Sequence, residues 1–509
     1  MASNVTKISG LVADRIPLVV TAVLVSILAI VVQRLFTKDP LSGIPFAGLA
    51  FGDEEKRRKA YLDGAGKIYM EGYEKFKNRL FRITNPRSTP IIVVPSAFLP
   101  ELRNLPDDVL SFPEALTETL QTKYTGLMTD VPTAIHTIKT KLTPGLVRLN
   151  PIIAEEVSNT IRLELPPCTD WTEVNISSKL NRIVAQVSGR LFLGSELCHD
   201  EAYINAAINY SVDLIGAVPV IERIPAWRRS LTAWSVAEVK RVQKHEEEAT
   251  RFLRPIIAAR RRAELEQPGY LKPDDMLQWL LDDHVGLDDR WMAKIQLMVS
   301  FAAIHTTSTT ATNAFYNLAA HRDLIPELRQ EIQSVLAEHD NQFSSAALQK
   351  MKKLDSFLKE TIRCHPNGLT SFTRKVLRPF TLSNGETVPS NVTIEVPLHA
   401  IYNDPTIFPN PSKFDGLRFY RAREEQGEKL HNQFVSVHHQ TSLSFGYGRH
   451  ACPGRFFAAN EIKMIVARMV LGYDIRNAGE GREGERYDNF WVSNGCFPDP
   501  SKNLLFKEV

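Results

Sequence analysis

The run Phe445-Gly446-Tyr447-Gly448-Arg449-His450-Ala451-Cys452-Pro453-Gly454 holds the residue types and spacing most able to do chemistry. An aromatic ring, two glycines and a histidine lead into one cysteine, and Pro453 then opens a helical pattern through Val466. Proline suits a first helical turn, where its missing N–H costs nothing. The pattern predicts a sulfur at a helix N-terminus, where the dipole and free backbone N–H groups favour a thiolate. Glycines that let backbone approach a flat ligand, beside such a thiolate, suit an axial ligand to haem iron. A cysteine at a helix start, taken alone, is more often structural. The whole run argues for chemistry.

Two further sets of residues stand out. Lys359-Glu360-Thr361-Ile362-Arg363 puts a carboxylate and a guanidinium three residues apart, on one face of a helix. That spacing is also common on solvated surfaces. Phe301-Ala302-Ala303-Ile304-His305-Thr306-Thr307-Ser308-Thr309-Thr310 lies within a helical pattern from about Asp289 to Ala320. Threonine hydroxyls compete for carbonyls one turn back, so a mid-helix cluster breaks a local rule and points to a functional groove. A merely polar helix face is the other reading.

The cysteine run resembles the haem-binding loop of the cytochrome P450 family, Phe-x-x-Gly-x-[His/Arg]-x-Cys-x-Gly, with Phe445, Gly448, His450, Cys452 and Gly454 at its defining positions. The resemblance implies haem b with Cys452 as the axial thiolate and metal ligand. Other motifs of the family follow in order. Glu360 and Arg363 match its Glu-x-x-Arg, and Arg418 in Gly416-Leu417-Arg418-Phe419 matches its second arginine. These three imply a buried structural triad that braces the haem loop. Asn403 to Pro411 resembles the family's His-Arg-Asp-Pro stretch, with Tyr402 and Asn403 replacing His and Arg. The family's [Ala/Gly]-Gly-x-[Asp/Glu]-Thr marks a helix crossing the oxygen-binding face of the haem. Alignment on Thr307 makes it the alcohol, with Ile304 in place of the glycine and Thr306 in place of the acid. Thr307 and Thr306 are the catalytic residues this implies. His450 and Arg374 match propionate partners, and His136 and Lys139 lie in a segment similar to the family's Trp-x-x-x-Arg.

The elements that must position these residues are largely helical. Amphipathic runs occur near 177–193, 236–263, 289–320 and 325–337. Short strands are predicted around Leu80 to Ile83 and Ile91 to Val94, and 371–397 alternates like strand with turns at Asn384-Gly385 and Pro389-Ser390. The expected class is mainly α with small β-sheets, and the resemblance implies a cytochrome P450 fold preceded by one N-terminal transmembrane helix. The uncharged run Ile16 to Val32 is at the short end of a membrane span, and Leu35 and Phe36 extend it. We therefore expect a tail and anchor over 1–36, a proline-containing hinge over 37–48 and a haem-thiolate catalytic domain over 49–509. Arg34, Lys38 and Lys56-Arg57-Arg58-Lys59 favour a cytosolic body, although Lys7 and Arg15 weaken that asymmetry. The Asn4-Val5-Thr6 sequon would then be lumenal and open to glycosylation.

Bulk properties set outer limits. The chain has 509 residues, a net charge of +3 and five scattered cysteines. An odd number of cysteines argues for a reducing compartment, and the near-neutral balance gives no reason to expect nucleic acid. The resemblance implies an endoplasmic reticulum monooxygenase fed from NADPH by cytochrome P450 reductase, with cytochrome b5 as a further donor. Motif details similar to fungal ent-kaurene oxidase-like and indole-diterpene oxidase members imply a lipophilic terpenoid or meroterpenoid substrate. A haem-thiolate isomerase, dehydratase or peroxide-using enzyme is the alternative, with a non-catalytic tethered haem protein behind it.

Overall fold

The computed structural model describes residues 20–22, 25, 28, 39–284, 286, 288–427, 429, 432–479 and 484–509. The chain forms two units, Met1–Pro45 and Phe46–Val509. Their boundary falls inside the hinge expected over 37–48. Within the expected anchor, Val20, Thr21, Ala22, Val25 and Leu28 are helical and exposed. The other residues of that segment, and Asn4, lie outside the described residues.

The larger unit is built on long helices: α1 (Thr143–Glu164), α2 (Ile176–Phe192), α3 (Glu201–Arg223), α4 (Ala237–Glu266), α5 (Asp289–Ala320), α6 (Lys352–Cys364) and α7 (Arg455–Gly472). Helix α2 starts where Asn175 accepts a hydrogen bond from the Ser178 N–H, and α3 where Asp200 accepts one from Tyr203. Helix α3 is the one described helix long and apolar enough to cross a membrane. Its Ala207, Tyr210, Leu214, Ala217 and Ile221 recur every three or four residues and are buried. That stripe makes it a core helix, packed with Val239 and Val242 of α4. Helix α5 runs through the middle of the molecule and is buried almost all round from Thr307 to Ala320.

The strands number in chain order β1 (Phe81–Ile83), β2 (Ile91–Val93), β3 (Leu110–Ser111), β4 (Thr172–Val174), β5 (Ser371–Val376), β6 (Phe380–Thr381), β7 (Thr387–Val388), β8 (Thr393–Val396), β9 (Tyr473–Asn477), β10 (Asn489–Val492), β11 (Gly495–Pro498) and β12 (Leu504–Glu508). They make a five-stranded sheet in the order β1-β2-β8-β5-β3, a three-stranded sheet β4-β12-β9, and the hairpins β6-β7 and β10-β11. A buried ion cluster ties the larger sheet to α3 and to the β10–β11 turn. Arg87 lies 3.1 Å from Glu395 and 3.3 Å from Glu222, Tyr69 donates to Glu395 at 2.6 Å, and Ser493 donates to Glu222 at 3.0 Å. Every member is paired, which is the condition under which buried charges persist.

Candidate active site

The cysteine loop is held from inside and from behind. The Cys452 N–H donates to the Phe445 carbonyl at 2.8 Å, and Ala451 to Gly448 at 3.1 Å. Gly446 and Gly448 have φ of 80° and 71°, a region that L side chains enter only with strain. A Cβ on Gly448 would also lie 3.1 Å from Arg103 Cβ. Gly454 has open space where a Cβ would project, so no protein contact demands glycine there. The Phe445 ring packs edge-on against Phe434 at 5.4 Å.

Helix α7 begins at Arg455, three residues after Cys452, with Gly454 as its cap. This corrects the expectation that Pro453 opens the helix. The backbone N–H groups of Gly454 and Arg455 still hydrogen-bond the sulfur, but burial is the larger influence and raises the thiol above its ordinary range. Cys452 lies deep in the protein and is nevertheless exposed, which means that its side chain faces an internal space.

Behind the loop, Glu360 and Arg363 pair through two hydrogen bonds of 2.8 and 2.9 Å, and Arg418 reaches Glu360 at 3.1 Å. Arg363 also donates to the Tyr402 carbonyl at 2.7 Å, and Arg418 to the Pro409 carbonyl at 2.7 Å. The Tyr402 hydroxyl then accepts from the Leu443 and Ser444 N–H groups at 2.9 and 3.1 Å. One tyrosine thus joins the triad to the entry of the cysteine loop. Lys359 is a second brace, donating to Ser442 Oγ at 2.7 Å and to the Gln433 carbonyl at 2.9 Å. Burial pulls its ammonium down to about 7. Neither Tyr402 nor Lys359 was recognisable as a brace in sequence. Tyr402 stood only as a departure from a motif, and a lysine beside Glu360 looks like a solvated residue.

A pocket beside the loop is lined by Arg103, Phe372, Arg374, Tyr447, Arg449 and His450 among others. Arg374 is buried, donates to the Thr373 carbonyl at 2.8 Å and lies over the rings of Phe372 and Phe112, 4.2 and 5.0 Å from their centres. Among the described residues it forms no ion pair, and burial lowers it to about 9. His450 lies 2.7 Å from Asp107 and is lowered chiefly by burial. The structure therefore brings Arg374 and His450 together. His136 and Lys139, both exposed, do not line this pocket.

Helix α5 settles which threonine faces open space. Ala302 and Thr306, one turn apart, are exposed midway along the helix, whereas Thr307 is buried. The Thr306 hydroxyl donates back to the Ala302 carbonyl at 2.8 Å, and Thr310 and Thr312 repeat the pattern at 2.8 and 2.7 Å. The Thr307 hydroxyl is buried and, among the described residues, has no hydrogen-bond partner. Exposure thus falls on Thr306, where the alignment had put the acid, and not on Thr307. A side chain one residue on is turned about 100° around the helix. His305 packs on Phe497 of β11, ring centres 5.6 Å apart, and burial lowers it to about 4. It is a neutral imidazole at physiological pH.

The sequence model of the cytochrome P450 family matches residues 117–492. The chain belongs to the cytochrome P450 family. Cytochrome P450 monooxygenase ATR3 of Stachybotrys chlorohalonatus is 40% identical over 428 residues, which are 82% of this chain and 89% of that one. Cytochrome P450 monooxygenase braC of Annulohypoxylon truncatum is 30% identical over 495 residues, 96% of this chain and 97% of that one. The fold is also that of retinoic-acid-bound cyanobacterial CYP120A1, with a TM-score of 0.65 at 18% identity over 92% of this chain and 99% of that one. This P450 is a monooxygenase of the fungal type, and its cofactor is haem with a cysteine thiolate ligand.

The residues present fit that group. An accessible sulfur deep in the protein accepts two backbone N–H bonds, and a buried guanidinium without an ion pair lies near a second arginine and a histidine, as two propionates require. When bound, haem supplies the activation of dioxygen and the oxidation of a C–H bond. Cys452 would hold the iron as a thiolate, and the metal's charge would offset the burial that otherwise favours the thiol. The triad and Tyr402 hold the loop still while that charge is placed. P450 chemistry takes its electrons from a redox partner.

Proposed function

We propose that this P450 hydroxylates a lipophilic terpenoid or meroterpenoid intermediate of secondary metabolism, with electrons from NADPH through a flavoprotein reductase and, as a further donor, cytochrome b5. The observation that carries the reading is the open strip of α5 at Ala302 and Thr306. A small side chain and a hydroxyl one turn apart leave room for oxygen and for an ordered water that moves protons. In this register Thr306 is the alcohol, Ala303 stands for the glycine and His305 for the acid. Imidazole at that place adds no negative charge, so proton delivery rests on the Thr306 hydroxyl and water. Thr307 is a packing residue. His450 and Arg374 hold the propionates, with Arg449 and Arg103 beside them; Lys139 and His136 take no part. The run Ile16 to Val32 anchors the protein as a single pass in the endoplasmic reticulum membrane, catalytic body cytosolic.

The test is reconstitution of the full chain with reductase and NADPH in membranes, offered a panel of polycyclic terpenoid precursors. Oxygenated product that needs both NADPH and reductase supports the reading. Rearranged or dehydrated product formed without either would favour the isomerase or dehydratase alternative, which the uncharged His305 makes worth including.

A further inference from the structure

We infer that Glu156, Cys198 and His199 form a binding site for a zinc-like divalent cation, separate from the haem. Glu156 comes from α1, and Cys198-His199 from the loop joining α2 to α3. A carboxylate oxygen, a thiol sulfur and an imidazole nitrogen from these residues all lie within 4.8 Å of one another. One sulfur, one nitrogen and one oxygen ligand with an open fourth position is a donor set zinc accepts.

The hydrogen bonds around the cluster point the same way. Gln186 Nε2 donates to Glu164 at 2.7 Å, so its Oε1 is the atom turned to His199 Nδ1, at 3.1 Å. Accepting there places the imidazole proton on Nδ1 and leaves a lone pair on Nε2. That nitrogen sits 2.8 Å from Glu156 Oε1, an oxygen with lone pairs of its own. The oxygen is buried and makes no aligned hydrogen bond. With a neutral imidazole the two sets of lone pairs face each other, and a cation between them resolves the contact; the competing arrangement is a second ring proton that makes an ion pair. Arg190 is 3.9 Å from the other oxygen, Oε2, which leaves Oε1 turned to His199. His199 is partly open to water, its side chain 40% exposed, which gives the ion a route in.

The site would pin the start of α3, capped by the adjacent Asp200, to α1. Binding takes a proton from the Cys198 thiol and releases it to solvent; no electron moves. Neither Cys452 nor the pocket around Arg374 is involved.

The experiment uses the full-length haem-loaded protein with any affinity tag removed, dialysed and then assayed for zinc and iron. About one zinc per iron is expected, falling roughly tenfold or more in His199→Ala and in Cys198→Ser. The reduced carbon-monoxide spectrum should be unchanged in both. Chelator-stripped wild-type protein should gain thermal stability when zinc chloride is returned, and His199→Ala should not. Zinc below about a tenth per iron with no thermal shift would overturn the site and leave a Glu156–His199 ion pair. Zinc retained equally by both variants would also overturn it.

Discussion

The two sides of the haem site are built on opposite principles. On the cysteine side the charges of the brace are partnered: Glu360 holds two arginines, those arginines hold carbonyls, and Tyr402 carries the brace to Leu443 and Ser444. On the α5 side the helix presents an exposed Ala302 and Thr306, a neutral His305 and a buried Thr307 hydroxyl with no partner among the described residues. A ligand bond needs a rigid seat, whereas oxygen, water and substrate need space. Satisfied polar groups give the first and leave a loop over-determined, while small side chains and loose hydroxyls give the second.

Substitutions can break this contrast. Cys452→Ser should have the largest effect, abolishing the red-shifted Soret band of the reduced carbon-monoxide complex; a persisting band would refute the ligand assignment. Glu360→Ala strands the buried Arg363, and a loss of about 3–5 kcal/mol is expected in chemical denaturation, with poor haem incorporation. His305 should make the α5 side pH-sensitive. Its unfolded imidazole takes a proton near pH 6.5 and its folded one only near 4. The unfolded chain therefore holds more protons between those values, and stability falls as pH drops through that window. The wild type should lose up to roughly 3 kcal/mol more than His305→Phe between pH 7 and pH 4, read from paired denaturation curves.

Two finer substitutions sharpen the comparison. Thr306→Val should cut product formed per NADPH about tenfold or more, while Thr307→Val leaves it unchanged and shifts stability by less than about 1 kcal/mol. The reverse pattern would restore Thr307 as the alcohol. Tyr402→Phe should cost about 1–2 kcal/mol of stability, from two N–H groups left without their acceptor.

Much of the cysteine side was legible because its residues are fixed by chemistry that leaves a spacing in the chain. Phe445, Gly448, His450, Cys452 and Gly454 lie within ten positions, and Glu360 and Arg363 share one helical face. The helices at 176–192, 237–266 and 289–320 were legible too, from their helical period over long runs. Helix α1 was missed; Pro151 interrupts its pattern, and packing against α2 keeps it helical all the same. His136 and Lys139 matched a motif by spacing, but side-chain exposure is not encoded in spacing.

The sequence by itself determined the mainly helical class, because that depends on residue type and local period, and its resemblance to the family pointed to Cys452 and to Glu360, Arg363 and Arg418. Only the tertiary structure decided which of two adjacent threonines faces open space, that Tyr402 and Lys359 join the brace, and that burial outweighs the helix terminus at the Cys452 thiol. Those are matters of what lies across the gap from a side chain. Neighbours distant in sequence set them, and a single chain read in order does not reveal them.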